Sequence, residues 1–296
     1  MKSKTHTKIA VGIFIGAVVL GLIMIAAAIG GSSDRTSSLS LTKRIAVVRL
    51  EGVITDANWH TAILREHLNN RNIAGVLLRI DSPGGAVAPS QEIYNEVAAY
   101  KAAGKPLVVS MGNTAASGGY YVAAPAHTIF ASPGTLTGSI GVIFTLPMYQ
   151  ELAKKIGVDF RILKAGEMKD VGSSFRPMTD KEKAALQVLL DDTHEQFITD
   201  VAAGREVSVE EVRTVANGMI FTGKQAYEMG MVDTLGGYAD ALRYLGGLCG
   251  VPESVKPVER KPYTGWREIF LESAGRNIPG FEAVSRPAGL YYLFVP

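Results

Sequence analysis

Short apolar runs rich in β-branched residues recur along this chain, and each is followed by turn residues and then by a stretch with helical spacing. Strands give such continuous apolar runs when helices cover both faces of a parallel sheet. Run 45–50 precedes a helical pattern over 59–69, and run 73–80 precedes one over 88–103. This alternation predicts an α/β fold built from stacked βαβ units.

Further strands are predicted at 106–110, 127–131, 140–144, 158–163, 219–221 and 231–233. Further helices are predicted to open near 117 and to cover 147–156, 179–203, 208–216, 223–229 and 237–245. Thr179 followed by Glu182 fits a capping box at the start of the long helix. This start places Lys169 just upstream, in a loop.

Residues 9–30 form a 22-residue stretch without charge, and Lys2, Lys4 and Lys8 precede it. This pattern predicts a membrane anchor with its N-terminus in the cytoplasm and the rest of the chain outside. A cleavable signal peptide remains the alternative, because the alanines at 26–28 offer a small-residue cleavage site.

The composition limits the function of the remaining chain. The formal charge is +2 and three lysines precede the apolar stretch, so the rest carries −1 and is not a nucleic-acid binder by charge. The single cysteine, Cys249, excludes an intramolecular disulfide. We expect these successive parts: a basic tail (1–8), the anchor (9–30), a linker (31–44), a globular domain (45–250) and a C-terminal tail (251–296) of unassigned role.

Three glycine-rich segments fall where predicted strands end or helices begin, a usual place for sites in an α/β sheet. They are 81–85 (Asp-Ser-Pro-Gly-Gly), 117–119 (Ser-Gly-Gly) and 136–141 (Leu-Thr-Gly-Ser-Ile-Gly). The backbone N–H groups of Gly84 and Gly118 could form an oxyanion hole, because no side chain blocks an approaching oxygen. Pro-Gly-Gly is also a common tight turn, and a serine before Gly-Gly is a common helix N-cap, so both interpretations stay open.

Ser117 is the candidate nucleophile, but a serine hydroxyl attacks poorly until a base takes its proton. The segment does not predict a nucleophile elbow of the Gly-x-Ser-x-Gly type, because Ala115 occupies the first glycine position. A lysine base would have to be neutral at pH 7, which costs about 4.6 kcal/mol and can be supplied by burial. Lys169 is the candidate, provided that Asp170 points elsewhere; a solvated loop residue is the alternative.

The histidines give no positive support to a Ser/His/Asp triad. None of the five lies in a glycine-rich or motif context: His6, His60, His67, His127 and His194. The helical positions of His60, His67 and His194 predict exposed faces. The sequence also lacks a metal-site pattern such as His-Glu-x-x-His, and we expect neither a metal nor a cofactor.

Five segments in order resemble the signal peptide peptidase A family, membrane-anchored Ser/Lys proteases of the Clp-protease/crotonase superfamily. The segments are 79–85 (Arg-Ile-Asp-Ser-Pro-Gly-Gly), 115–121 (Ala-Ala-Ser-Gly-Gly-Tyr-Tyr), 136–142 (Leu-Thr-Gly-Ser-Ile-Gly-Val), 166–170 (Gly-Glu-Met-Lys-Asp) and 220–226 (Ile-Phe-Thr-Gly-Lys-Gln-Ala). The resemblance covers about residues 45–246. The 52-residue spacing from Ser117 to Lys169, without a duplicated half, is similar to the short, single-copy form of the family.

The resemblance implies a Clp-protease/crotonase-like arrangement of βαβ units, preceded by one N-terminal transmembrane helix. It implies that Ser117 is the nucleophile and Lys169 the general base. Gly84 and Gly118 would form the oxyanion hole, and Ser139 would hydrogen-bond the lysine amine and help to position it. Residues 45–250 would then be the Ser/Lys protease domain, which needs no metal.

The resemblance also implies a plasma-membrane endopeptidase with its catalytic domain outside the cytoplasm, which degrades remnant signal peptides after their release from preproteins. The family implies a ring-like homo-oligomer in which the lysine reaches a serine on a neighbouring subunit. The binding pocket should be lined with apolar and small side chains, and the peptide should bind by strand addition.

Three alternatives remain at this stage. A related membrane-anchored Ser/Lys protease would instead cut specific membrane proteins. A crotonase-like acyl-CoA enzyme would share the fold and the glycine-rich oxyanion hole, but the anchor and the Ser/Lys pair disfavour it. A catalytically silent, oligomeric membrane scaffold would leave Ser117 unreactive toward a serine-directed probe.

Overall fold

The computed structural model describes residues 43–261 and 290–294, which fall within one compact unit, Thr42–Pro296. The predicted basic tail and anchor, and nearly all of the linker, lie outside the described residues, as does much of the C-terminal tail. Among the helices that are described, none combines the length and the apolar character needed to cross a bilayer.

The described residues form eleven strands and eight helices, which we number in chain order. The strands are β1 (Arg44–Glu51), β2 (Ile73–Ser82), β3 (Gly84–Ala86), β4 (Leu107–Ala116), β5 (Thr128–Ala131), β6 (Leu136–Gly138), β7 (Ile143–Phe144), β8 (Ile220–Thr222), β9 (Thr234–Leu235), β10 (Val258–Glu259) and β11 (Leu290–Leu293). The helices are α1 (Asn58–Asn69), α2 (Val87–Ala102), α3 (Gly118–Ala123), α4 (Gln150–Lys155), α5 (Asp180–Arg205), α6 (Val209–Val215), α7 (Gly223–Glu228) and α8 (Tyr238–Cys249).

The main sheet is mostly parallel, as the alternating pattern predicts. Its strand order is β10-β1-β2-β4-β5-β9, with β6 beside β4 and β8 beside β6. Every pair in it is parallel except β6 with β8. A second, three-stranded antiparallel sheet has the order β3-β11-β7.

Side chains of the central strands are buried on both faces of the sheet. In β1, Ala46, Val48 and Leu50 belong to the larger core cluster, which also contains residues of α1, α2 and α3. Ile45 and Val47 belong to a second cluster with residues of α8. Successive side chains of a strand point to opposite faces, so two covered faces produce the unbroken apolar runs seen in the sequence.

Strand β4 changes neighbours along its length, and this change positions the candidate site. Its first half pairs with β5 through residues 108–110, and its last residues, 114–116, pair with β6. Gly112 lies between the two halves, where an added Cβ would approach Asp81 Oδ2 to 2.8 Å. Asp81 Oδ1 accepts a 3.0 Å hydrogen bond from the Thr114 N–H. The strand therefore continues past the β5 edge to Ala116, directly before Ser117.

Most predicted elements are confirmed, with three differences. The predicted strand at 158–163 is wrong: these residues form no strand, and their side chains are exposed. Residues 158–163 have a strand-like alternation, but they pair with no strand among the described residues. Of the strand predicted at 140–144 only residues 143–144 form a strand, β7, and the strand predicted at 231–233 is shifted to β9. The capping box is confirmed, since Thr179 accepts from the Glu182 N–H and Glu182 accepts from the Thr179 N–H.

Candidate active site

Ser117 lies on a sharp turn between β4 and α3. Its backbone has φ 52° and ψ −116°, in a region that non-glycine residues rarely occupy and that costs of order 1–3 kcal/mol. Two backbone hydrogen bonds hold the turn: Ser117 N–H donates to Gly138 O at 2.7 Å, and Ser117 O accepts from Tyr121 N–H at 2.8 Å. The motif does not predict a nucleophile elbow, yet the chain forms a strand-to-helix turn of that kind.

The hydroxyl group of Ser117 is buried without a partner. The residue is 1% exposed, and its Oγ has no hydrogen-bond partner among the described residues. Buried hydroxyl groups are normally hydrogen-bonded, because leaving one unpaired costs about 1–3 kcal/mol. A strained backbone and an unpaired buried hydroxyl at one residue together indicate a functional position rather than a structural N-cap.

Gly84 and Gly118 approach each other beside this serine. A Cβ added to Gly84 would lie 2.6 Å from the Gly118 nitrogen, and Gly84 has φ +96°, so this position requires glycine. In this structure the Gly84 N–H donates to the buried Ser82 Oγ at 3.1 Å. The structure thus brings the two predicted oxyanion-hole residues together and adds Ser82 as a partner that the sequence did not indicate.

The segment of Ser139 is joined to the same turn through the backbone. Ala116 pairs with Gly138, and the Gly138 carbonyl is the acceptor of the Ser117 N–H. Ser139 is 8% exposed, also has a positive φ of 53°, and donates its N–H to Met219 O at 2.7 Å. The three glycine-rich segments of the sequence therefore meet at Ser117.

Lys169 lies on a separate, exposed segment. We call residues 145–178 the arm; it contains α4 and leads from β7 to the start of α5. The Lys169 side chain is exposed, and because Ser117 Oγ has no partner among the described residues, the two predicted dyad residues are not hydrogen-bonded within one chain. The structure does not bring Lys169 to Ser117.

An ion-pair cluster anchors the loop that carries Lys169. Arg176 Nε donates to Asp170 Oδ2 at 2.8 Å, and Arg176 Nη1 donates to Glu182 Oε2 at 2.9 Å. Lys164 also pairs with Asp170. The hydrogen bonds from Arg176 and Lys164 hold the pKa of Asp170 well below its usual range, and the bond from Arg176 lowers the pKa of Glu182 to about 2. The carboxylate of Asp170 therefore pairs with Lys164 and Arg176. Among the described residues it forms no ion pair with Lys169, as a neutral amine at Lys169 requires.

Apolar side chains of the arm are exposed. Leu163 is 98% exposed, and Leu152 and Ile156 are 57% and 67% exposed. Scattered apolar residues are normal on a protein surface, but several exposed apolar side chains on one arm indicate an interaction surface. The arm therefore differs from the Ser117 turn, which is packed on all sides by its own chain.

Comparison with known proteins identifies the family of this chain. The model of peptidase family S49 matches residues 99–251, which include Ser117 and Lys169. A putative protease of Synechocystis is 41% identical over 220 residues, covering 73% of this chain and 79% of that protein. The chain belongs to peptidase family S49. A putative signal peptide peptidase SppA of Enterococcus faecium is 33% identical over 270 residues, covering 79% of this chain and 78% of that protein.

A third relative of this S49 chain is the chloroplastic serine protease SPPA of Arabidopsis thaliana, 30% identical over 256 residues, 81% of this chain and 38% of that protein. Together these matches show a serine-type peptidase similar to signal peptide peptidase A. The resemblance found in the sequence is confirmed at this level.

The S49 chain has a further feature near the site that sequence reasoning missed, strand β11. Strand β11, from the C-terminal tail, lies between β3 and β7, and its Tyr292 is completely buried against Tyr121 and Phe197. The Tyr292 ring therefore packs against two aromatic side chains, while its backbone carbonyl lies next to Gly84. The only sequence signal is the apolar run Leu-Tyr-Tyr-Leu at 290–293, and nothing local to that run indicates its partners.

The expected exposure of the helical histidines is not found, since His60 and His194 are half-buried and His67 is buried. His67 is 1% exposed, and neither ring nitrogen has a partner among the described residues. Burial lowers the pKa of His67, which favours the neutral ring. His194 bonds to Ile140 O rather than to a candidate nucleophile. Within residues 43–261 and 290–294, no cluster of three or more His, Cys, Asp or Glu side chains is arranged to hold a metal ion.

Proposed function

We propose that this S49 peptidase is a membrane-anchored endopeptidase that uses Ser117 as nucleophile and Lys169 as general base. The observation that carries the proposal is the buried, unpartnered Oγ of Ser117 on a strained turn beside Gly118. A hydroxyl in this state has no competing hydrogen bond to break when a base approaches it. Its strain is consistent with a position under functional constraint.

The proposed chemistry uses backbone and side-chain groups only. Neutral Lys169 Nζ takes the proton of Ser117 Oγ as the oxygen attacks the peptide carbonyl carbon. The N–H groups of Gly118 and Gly84 stabilise the oxyanion, and the Gly84 N–H exchanges its bond to Ser82 Oγ for this one. The lysine then protonates the leaving amine, and a water molecule hydrolyses the acyl-enzyme by the same route.

The base is proposed to come from a neighbouring subunit of a homo-oligomeric ring. The exposed Lys169, the unpartnered Ser117 and the exposed apolar side chains of the arm support this arrangement. Packing the arm against a second copy would remove Lys169 from water, which favours the neutral amine. Ser139, next to the Ser117 turn, is proposed to accept or donate a hydrogen bond at that amine.

The proposal also covers the substrate of this protein and its location at the membrane. We take residues 9–30 as a single membrane span, 31–44 as a linker and 45–250 as a protease domain of Clp-protease/crotonase type outside the cytoplasm. The relative in Enterococcus faecium is named a putative signal peptide peptidase. An anchored peptidase at the membrane surface is well placed to cut remnant signal peptides, and their accumulation in a deletion strain would separate this role from cleavage of specific membrane proteins.

Paired substitutions test the dyad directly. Ser117→Ala and Lys169→Ala should each lower kcat for an apolar peptide by about 10³-fold or more, because the two groups act as a unit. Lys155→Ala, which removes another exposed lysine of the arm, is the matched control and should retain activity. Circular dichroism and oligomeric state should match wild type throughout. A fully active Lys169→Ala protein would contradict the proposed mechanism.

A further inference from the structure

A cleft of about 420 Å³ lies at the amino ends of the central strands, on the edge of the main sheet opposite to Ser117. It forms where the turns that precede β2 and β4 meet the end of α8. Three basic residues line it: Lys43 just before β1, Arg71 between α1 and β2, and Lys105 between α2 and β4. No Asp or Glu is among its lining residues. We call it the basic cleft.

Lys105 has a structural role in the basic cleft. Its Nζ donates hydrogen bonds to the carbonyl oxygens of His67, Leu68 and Asn70, at the end of α1. A cation at this place offsets the partial negative charge of a helix C-terminus. All three donors of the ammonium group are therefore used, so Lys105 adds charge to the cleft but no free donor.

Lys43 and Arg71 differ from Lys105 because both are exposed, and neither belongs to an ion pair among the described residues. Burial is the main cause that lowers the pKa of Lys105, and the positive charge of Lys43 acts in the same direction. The carboxylate of Glu66, on α1, is already paired with Arg260. Like charges that lie this close, without a carboxylate beside them in the described part of the chain, favour the binding of an anion.

The basic cleft also lies where the domain joins the proposed linker. Lys43 is the first described residue, so residues 31–42 alone separate it from the end of the proposed membrane span. A linker of this length extends at most about 40 Å, and a flexible one averages about 20 Å from end to end. A tether this short keeps the cleft within reach of phospholipid headgroups.

We propose that the basic cleft binds the phosphate group of an anionic phospholipid and docks this edge of the domain on the membrane surface. The inference rests on the proposed function, because it requires the anchored chain. The Arg71 guanidinium can bind two phosphate oxygens at once, and Lys43 adds a mobile point charge. Since β2 and β4 run away from this edge for ten residues each, the Ser117 turn would stand about 30 Å above it. Peptides would then reach Ser117 from water, after they have left the bilayer.

Quenching by lipid headgroups tests the docking in the full chain. The protein is placed in nanodiscs of phosphatidylcholine, with or without about 30 mol% phosphatidylglycerol, in which some headgroups carry a nitroxide quencher. A fluorophore is attached to Asn72→Cys beside the cleft, or to Thr55→Cys beyond the other end of β1. Both positions are exposed, and a Cys249→Ser background leaves one cysteine to label.

The label at Asn72→Cys should be quenched at least about twofold more strongly in anionic than in neutral nanodiscs. About 0.5 M NaCl should abolish this difference, because salt screens exposed charges. The label at Thr55→Cys should show no difference, since it lies on the edge of the sheet that faces away from the membrane. Equal quenching of the Asn72→Cys label in the two membranes would overturn the proposal.

A pair of charge variants tests the cleft itself. Lys43→Gln with Arg71→Gln should remove the difference between the two membranes. Arg213→Gln with Lys224→Gln is the matched control, because it changes the net charge equally at exposed positions on α6 and α7 and should retain the difference. Equal loss in both double variants would show a response to net charge alone and would contradict the proposal.

The same experiment separates failure of the docking from failure of the proposed function. A full chain that does not enter nanodiscs would refute the proposed anchor, and the docking with it. A chain that enters them and shows equal quenching at Asn72→Cys would refute the docking alone and leave the anchor standing. Loss of peptidase activity in Ser117→Ala should leave the quenching unchanged, because the cleft and Ser117 lie at opposite edges of the sheet.

Discussion

The Ser117 turn and the arm that carries Lys169 differ in how far one chain organises them. Ser117 is buried, and its backbone is held by β6 and α3. Lys169 is exposed, and the clearest support for its loop is the Arg176 cluster behind it. One chain therefore organises the proposed nucleophile and the proposed oxyanion donors but presents the proposed base on its surface. Under the proposed mechanism, the site is complete only when the arm contacts a second chain.

Gly84→Ala should have the largest effect on the organised half. The new Cβ would meet Tyr292 O and Gly118 N, and a positive φ strains any L side chain. Loss of oxyanion stabilisation should lower kcat by about 10²-fold or more. Gly52→Ala is the matched control, because Gly52 also has a positive φ but an added Cβ meets nothing within 4 Å. Equal kcat in the two variants would contradict the assignment of Gly84.

Arg176→Met should weaken the support of the arm and lower kcat by about 10-fold, because Lys169 then samples more positions. Arg161→Met is the control, since Arg161 is exposed on the same arm and lies 3.9 Å from Asp159. A change in KM alone, with kcat unchanged, would argue against a positioning role.

The same cluster predicts a pH dependence of stability. The pKa of Glu182 falls from its ordinary 4.5 to about 2 in the folded chain, so its stabilising contribution is complete above pH 4.5. That contribution is lost as the pH falls through about 2. Thermal unfolding between pH 5 and 2 should show this loss in wild type and a flatter profile in Arg176→Met. Parallel profiles would mean that Arg176 does not perturb Glu182.

Leu163→Ser should have the smallest effect on the stability of the single chain. A side chain that is 98% exposed loses almost no burial, so the free energy of unfolding should change by less than about 0.5 kcal/mol. Oligomerisation and activity at low protein concentration should nevertheless fall, as sedimentation velocity and dilution assays can show. Leu248→Ser, an exposed leucine on α8, is the control and should leave assembly intact.

The sequence predicts features whose causes are local. The capping box at Thr179, the parallel strands and the glycines around Ser117 follow from short patterns, and the structure has them. Strand β11 could not be predicted, because its partner β3 lies about two hundred residues earlier and neither strand encodes the pairing. The segment 158–163 has a strand-like alternation but no partner strand among the described residues, so its pattern is misleading.

The burial of His67 was missed because the polar residues Glu66 and Asn69 beside it were given more weight than the helical spacing. His67 lies three and four residues after Leu64 and Ile63, and all three side chains are buried on one face of α1. By contrast, no local pattern indicates the distance between the candidates Ser117 and Lys169. Which residues share a site depends on long-range packing, and for Lys169 the proposed partner is a second chain.

Mixed oligomers test the central claim most directly. Ser117→Ala and Lys169→Ala subunits, each inactive alone, would be combined in equal amounts and assembled together. If each base serves a neighbouring serine in a ring, random mixing should restore about a quarter of wild-type activity, because one interface in four then has both groups. Activity that stays at the level of the separate variants, in oligomers shown to be mixed, would contradict a dyad shared between subunits.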